Sequence, residues 1–207
     1  MVSVRALEPG GVSRETAKRL ENFAALFETW SSRINLAAPS TSPELWSRHI
    51  ADSAQLLELR PDARHWVDLG SGGGFPGLVI AILLSDSTEA RVDLIESNRR
   101  KAAFLQTVRA RCAPVARVHP VRIEDAIPSI PAPQIVTARA LAPLPRLLAL
   151  AEPWLTGSTV ALFHKGRGYA AEVKESRAGW AFDLIEHRSK VAADSVILEI
   201  ANLRALR

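Results

Sequence analysis

The chain has one cysteine, one methionine and one tyrosine among its 207 residues. A single thiol, Cys112, excludes an internal disulfide and a cysteine-based zinc site, and with them the disulfide-stapled secreted scaffold. Long apolar runs are missing too. The longest strongly apolar stretch, Leu78 to Leu84, is seven residues, well short of the roughly 18 needed to span a bilayer. The N-terminal stretch offers Arg5, Glu8 and Pro9 and no apolar signal-peptide core, so a cytoplasmic location without membrane contact is expected. The five histidines are scattered without metal-ligand spacing, so no metal is expected. Internal repeats and low-complexity segments are absent from the pattern.

What is present is ordinary globular composition, 47% apolar and 23% charged, which sets the chain apart from disordered sequences. A chain of this length buries on the order of 70% of its unfolded surface, enough for a core without staples. Its charge excess is 26 − 22 = +4, and a pI near 9.7 permits an anionic partner without requiring one.

Two helices precede any strand. Leu20, Phe23, Phe27, Trp30 and Ile34 step by three and four along one helix face, with Ser13 as N-cap and Glu15 in the first turn. A second start stands at Ser42-Pro43-Glu44, and Trp46, Ile50 and Leu57 then share one face. After residue 64 strand and helix alternate. Strands are expected at 65–69, 91–96, 117–121, 134–139 and 158–164, and helices at 76–84, 98–112, 144–150 and 170–178. Two final strands, 182–187 and 195–203, have no helix between them and read as an antiparallel pair. Prolines 128, 131 and 133 mark a loop within the domain, because the alternation resumes directly after them. The expectation is a three-layer α/β domain over 63–207, one compact unit, with an N-terminal helical extension over 1–62.

The richest stretch is Val67-Asp68-Leu69-Gly70-Ser71-Gly72-Gly73-Gly74-Phe75-Pro76-Gly77, at the carboxyl end of the first strand, where open α/β sheets bind ligands. Gly72, Gly74 and Gly77 satisfy the dinucleotide pattern, and Glu96 follows about 20 residues on, placed to accept from ribose hydroxyls. The same placement serves the ribose of S-adenosylmethionine. Asp68 separates the two readings. A carboxylate two residues before the first glycine suits a cofactor carrying an ammonium and a sulfonium, whereas a pyrophosphate would repel it. The chain also lacks length for a second domain holding a substrate against a nicotinamide. The methyltransferase reading is therefore preferred over the dinucleotide enzyme.

These residues resemble one family. The block from Asp68 to Gly77 is similar to the cofactor motif of the ribosomal RNA small subunit methyltransferase G family, also called glucose-inhibited division protein B. Similar signatures run in family order: Asn35-Leu36, Arg48-His49-Ile50-Ala51-Asp52-Ser53, Glu96 to Leu105, Arg139-Ala140 and Lys165-Gly166. The chain departs from the family pattern at Ala37 and Ala138, where threonine and serine are usual. The resemblance implies a Rossmann-like class I methyltransferase fold: a mostly parallel seven-stranded sheet with an antiparallel C-terminal strand. It also implies methylation, from S-adenosylmethionine, of N7 of guanine 527 in the decoding-centre loop of 16S rRNA, with the rRNA or the small ribosomal subunit as partner; a monomer is expected. By match to its motifs, Gly70 and Phe75 contact the cofactor, Ile123 and Glu124 flank the adenine, and Arg139 lies at the active-site end of strand four. Asp68, Gly72, Gly74 and Glu96 complete the expected cofactor set.

Guanine N7 has a lone pair and no proton, so methyl transfer to it requires alignment and no general base. Arg139 beside a forming guaninium would be repulsive unless it holds a phosphate or a carboxylate, and that positioning role is the one expected. Lys165 is a candidate RNA-backbone contact. So are Arg99, Arg100 and Lys101, which otherwise form a solvated helix face. His49 is read first as a packing histidine, with substrate contact as the alternative. Asp52 can pair with Arg48 at i, i+4. Trp30, Trp46 and Cys112 are read as packing residues. Two other functions stay open on the sequence: methylation of a small molecule or protein, and a non-catalytic rRNA-binding assembly factor with a vestigial pocket.

Overall fold

A computed structural model describes residues 11–36, 45–155 and 157–206. The helix start at Ser42-Pro43-Glu44, the departure at Ala37 and the N-terminal residues 1–10 lie outside the described residues. Helix α1, Arg14–Ser31, begins where the Ser13 hydroxyl accepts from the Thr16 N–H. Its stripe Leu20, Phe23 and Phe27 is buried, and Trp30 and Ile34 extend it as half-buried residues.

Residues Leu45–Ile50 then form a π-helical segment that runs into α2, Ala51–Leu59. The π segment corrects one expectation. Its wider turn breaks the i, i+4 return to one face, so Ile50 is fully buried while Trp46 is 43% exposed. Trp46 is therefore a surface residue.

From here strands and helices alternate: β1 His65–Leu69, α3 Gly77–Leu83, β2 Arg91–Ile95, α4 Arg99–Cys112, β3 Ala116–His119, α5 Ile123–Ala126, β4 Ile135–Arg139, α6 Leu144–Ala151, β5 Val160–Lys165, α7 Tyr169–Ser176, β6 Trp180–Arg188 and β7 Val196–Ala205. The short α5, continued by a 3₁₀ turn at Ile127–Ser129, was not legible in the apolar pattern. Strand β3 ends at His119 because Pro120 has no N–H to extend the ladder.

The seven strands form one sheet in the order β3-β2-β1-β4-β5-β7-β6. Strands β1 to β5 are mutually parallel, and β7 pairs antiparallel with both β5 and β6. After β1 the chain builds outward to β3, then crosses back to place β4 on the other side of β1. The carboxyl ends of β1 and β4 thus flank the topological switch point.

Alternate residues feed two cores. Trp66, Val92, Leu94, Ile135 and Leu162 face α1 to α4. Val67, Leu69, Ile95, Val136, Ala138 and Phe163 face α5, α6 and the residues that follow each. Helix α3 is apolar all round because it is covered on every side. Phe23 and Phe27 of α1 hold Phe75 at 5.4 Å each, and Phe104 of α4 lies 6.2 to 6.5 Å from them. Each such pair contributes roughly 0.5–1.5 kcal/mol beyond its buried area, so α1 is bound into the core beside the glycine turn.

Candidate functional site

The turn after β1 is held by backbone hydrogen bonds, within itself and to the end of β2. Ser71 N–H donates to the Ile95 carbonyl at 3.0 Å, and Gly74 N–H donates to the Ser71 carbonyl at 2.6 Å. Gly70 sits at φ +65°, a region that costs an L side chain about 1–2 kcal/mol, and a Cβ there would lie 2.5 Å from Leu141 Cδ1. Gly77 is required for a different reason: a Cβ would meet Leu94 Cδ2 at 2.4 Å and Asp68 Oδ2 at 2.6 Å. It lets α3 lie directly on the sheet.

The Glu96 carboxylate ties this turn to the next strand. One oxygen accepts from Gly72 N–H at 2.9 Å, and the other from Asn98 N–H at 2.7 Å. Asn98 in turn caps α4, accepting from the Arg100 and Lys101 amides. A cavity of about 390 Å³ opens here, lined by Gly70, Gly72, Glu96, Lys101, Ile123 and Glu124 among others. Arg146 reaches Glu124 at 2.9 Å across its rim. Both side chains are exposed, so the pair adds little stability.

Asp68 is elsewhere. Its side chain lies on the α3 face of β1, 1% exposed, where it accepts from Thr137 Oγ1 at 2.9 Å and from Gly77 N–H at 3.3 Å. Burial raises its pKa to about 6 against those hydrogen bonds. Asp68 braces the turn from beneath, because the period of two turns position 68 to the helix face. Gly74 and Phe75 also lie off the cavity. Gly74 packs over Leu78, and Phe75 is stacked among Phe23, Phe27 and His49.

A second cavity, about 320 Å³, adjoins the first and shares Ala140 with it. Arg139, His164, Lys165 and Glu172 line it. Ala140 has φ +52°, a strained value for a residue with a Cβ, at the junction of the two cavities. Arg139 and His164 are register partners at the ends of β4 and β5, and both side chains point to α2. There they meet Asp52, which is 2% exposed. Arg139 Nη1 is 3.6 Å from Asp52 Oδ2, and Arg139 Nη2 donates to the Arg48 carbonyl at 3.3 Å. His164 Nε2 is 3.1 Å from the Asp52 carbonyl. Asp52 Oδ1 also accepts from Gln55 at 2.5 Å and Ser189 at 2.9 Å, which joins α2 to the β6–β7 loop.

Burial lowers the pKa of both Arg139 and His164, with Asp52 pulling the other way in each case. The arginine still carries its charge. A carboxylate does stand beside Arg139, that of Asp52, a residue whose i, i+4 spacing in the sequence points to Arg48. His164 was missed altogether, since nothing in the sequence links it to a residue 112 positions away.

The remaining residues divide plainly. Lys165 Nζ is held by Glu172 at 2.5 Å and by the Ala142 carbonyl at 3.1 Å, with its side chain only 10% exposed. It is an internal ion pair on the wall of the second cavity. Lys101 borders both the first cavity and a basic groove with Arg33 and Arg100, while Arg99 is exposed on the first turn of α4. His49 lies half-buried with its ring 5.1 Å from Phe75. Cys112 is buried, and burial raises its thiol pKa.

A sheet of this order, with a glycine turn and an acidic residue ending adjacent strands at the switch point, defines a class I methyltransferase fold. Solved structures share it. The cofactor-bound Rv0187 from MTB superposes with a TM-score of 0.60 at 16% identity, covering 94% of this chain and 92% of that one. A putative O-methyltransferase from Klebsiella pneumoniae gives 0.58 at 13%, covering 96% and 94%. The family model for rRNA small subunit methyltransferase G (GidB) matches residues 16–200. The chain belongs to that family. It is 58% identical over 197 residues to the ribosomal RNA small subunit methyltransferase G of Chelativorans sp. (strain BNC1), covering 95% of this chain and 94% of the relative. To the protein of the same name from Brucella anthropi it is 56% identical over 202 residues, covering 98% and 94%.

Proposed function

We propose that the chain methylates N7 of a guanine in the decoding-centre loop of 16S rRNA, with S-adenosylmethionine as methyl donor. The observation that carries this reading is the pair of cavities joined at Ala140. One is framed by the glycine turn and Glu96, and the other by charged groups at the ends of β4 and β5.

The residues of the first cavity fit the cofactor. Gly70 and Gly72 line it with bare backbone, Glu96 offers carboxylate oxygens to ribose hydroxyls, and Ile123 and Glu124 flank the adenine. Asp68 and Phe75 serve it indirectly, by fixing the turn. When bound, S-adenosylmethionine supplies an electrophilic methyl group. The chain has to align the acceptor and accommodate positive charge on the purine. Guanine N7 has no proton to lose, so no side chain has to remove one. Arg139 can stand beside that purine because the Asp52 carboxylate offsets its charge, and this makes it a positioning group.

Arg99, Arg100 and Lys101, with Arg33, form the basic face for the RNA backbone, so binding weakens with salt. The substrate places the enzyme in the cytoplasm, acting as a monomer on rRNA or on the small subunit. No helix among the described residues is long and apolar enough to cross a membrane. The test uses labelled S-adenosylmethionine and small subunits from cells lacking this enzyme. Digestion of the rRNA to nucleosides should give label in 7-methylguanosine. Label in another nucleoside, or in protein, would overturn the assignment.

A further inference from the structure

The carboxylate beside Arg139 is itself held from far along the chain. Asp52 Oδ1 accepts from two donors, Gln55 Nε2 at 2.5 Å and Ser189 Oγ at 2.9 Å. The other oxygen, Oδ2, faces Arg139 Nη1 at 3.6 Å. Ser189 is the first residue after β6, 137 positions from Asp52.

The direction of the Ser189 bond follows from its surroundings. Its hydroxyl oxygen lies 3.2 Å from Gln55 Nε2, 3.2 Å from the Val191 amide and 3.1 Å from the Ala192 amide, and all three donate. A serine hydroxyl has one hydrogen, and among these partners only the Asp52 carboxylate can take it. Gln55 is oriented in the same way. Its carbonyl oxygen accepts from the Lys190 N–H at 3.1 Å, so its amide nitrogen is the end turned to Asp52. The β6–β7 loop thus fixes both donors on Oδ1.

Arg139 is tied less firmly. Its Nη1 is buried with no hydrogen-bond partner, and Nη2 reaches the Arg48 carbonyl at 3.3 Å. The guanidinium is therefore placed chiefly by the charge of a carboxylate whose orientation is set on its other oxygen. The Arg139 side chain keeps 21% exposure and lines the second cavity, so its resting place decides what that cavity presents.

We infer that Ser189 is a positioning residue for methyl transfer: by donating to Asp52 Oδ1 it keeps Oδ2 turned to Arg139 and the guanidinium at the cavity. The inference rests on the function proposed above and gives the β6–β7 loop a part in it. Without the hydroxyl, Oδ1 keeps one donor. The carboxylate can then turn, close the 3.6 Å gap and draw the guanidinium away from the purine. Misplacing an aligned reactant by about 1 Å costs up to a hundredfold in rate.

The test compares wild type with Ser189→Ala and Ser189→Thr on small subunits from cells lacking the enzyme. Ser189→Ala should lower kcat about tenfold, while calorimetric affinity for S-adenosylmethionine stays at the wild-type value. Ser189→Thr keeps the hydroxyl and should retain most of the rate. A second readout is the Arg139 Nε–H resonance, assigned by its loss in Arg139→Lys. It should move in Ser189→Ala and stay near its wild-type position in Ser189→Thr, whereas a purely structural loop residue would leave it in place. Urea midpoints identify a misfolded variant; should Ser189→Ala be one, Ser189→Cys, a weaker donor, takes its place. A folded variant with wild-type kcat, or with an unmoved Arg139 resonance, overturns the inference. A wild type that methylates nothing in the subunit overturns the underlying function, and the resonance then decides alone whether Ser189 places Arg139.

Discussion

Replacing Glu96 by alanine removes the acceptor of two backbone N–H groups at once, Gly72 at 2.9 Å and Asn98 at 2.7 Å. Hydrogen bonds to a charged acceptor contribute about 1.5–3 kcal/mol each, so independent losses would total roughly 3–6 kcal/mol. Both amides stand at the edge of an open cavity, where water can replace the carboxylate. The low end, about 3 kcal/mol, is therefore expected. In a domain of this size 1 kcal/mol moves Tm by roughly 2–4 °C, so Glu96→Ala should melt about 6–12 °C below wild type. Glu96→Gln keeps one accepting oxygen and should lose about half as much. Urea unfolding at neutral pH reads the free energies directly. Calorimetry with S-adenosylmethionine should show affinity falling further than stability alone accounts for, because the ribose also loses its acceptor. A Glu96→Ala protein within about 0.5 kcal/mol of wild type would refute the claim that this side chain ties the turn to α4.

Asp68 has a folded pKa raised to about 6, above its unfolded value, so the native state binds more protons between about pH 4 and pH 6, and its contribution to stability falls as pH rises through that window. Asp68→Asn should accordingly gain on wild type across it, by on the order of 2 kcal/mol between pH 4 and pH 7, in paired urea titrations; a flat difference would contradict the burial argument. Gly77→Ala should cost about 1–3 kcal/mol, since its Cβ would overlap Leu94 and Asp68, and the urea midpoint checks it. Ala140→Gly should do the reverse. It relieves the left-handed backbone and should stabilise by about 0.5 kcal/mol after the entropy of glycine is counted, whereas a loss above 1 kcal/mol would show that the Cβ packs usefully.

The strand–helix alternation carried most of the fold, because apolar runs bounded by glycine and proline are set by local chemistry. Each expected strand falls within a few residues of the observed one, and the two C-terminal strands are antiparallel neighbours. The errors have identifiable causes. Trp46 was assigned by the helical period, and a π segment alters that period without an apolar signature. For Asp68, alternation tells that the side chain changes face and not which face borders the cavity. Nothing in the sequence shows that the packing of α7 brings Glu172 to Lys165.

The site was legible where it is local in sequence, as at Gly70, Gly72 and Glu96. It was illegible where the fold assembles it. Asp52, Arg139 and His164 come from α2, β4 and β5, and their meeting depends on the sheet order and on the register that sets Arg139 beside His164. No spacing rule reaches across those distances. The Ala140 backbone was equally hidden, since alanine gives no sign of a positive φ.

The central claim is that the two cavities meeting at Ala140 bring a methyl donor and one guanine together. Its most direct test is strand scission specific for 7-methylguanine in 16S rRNA, after incubating unmethylated small subunits with S-adenosylmethionine and either wild type or Arg139→Ala. The account predicts one new cleavage, in the decoding-centre loop, that is lost in the variant while the variant stays folded. Cleavage elsewhere, or an undiminished signal with Arg139→Ala, would contradict it.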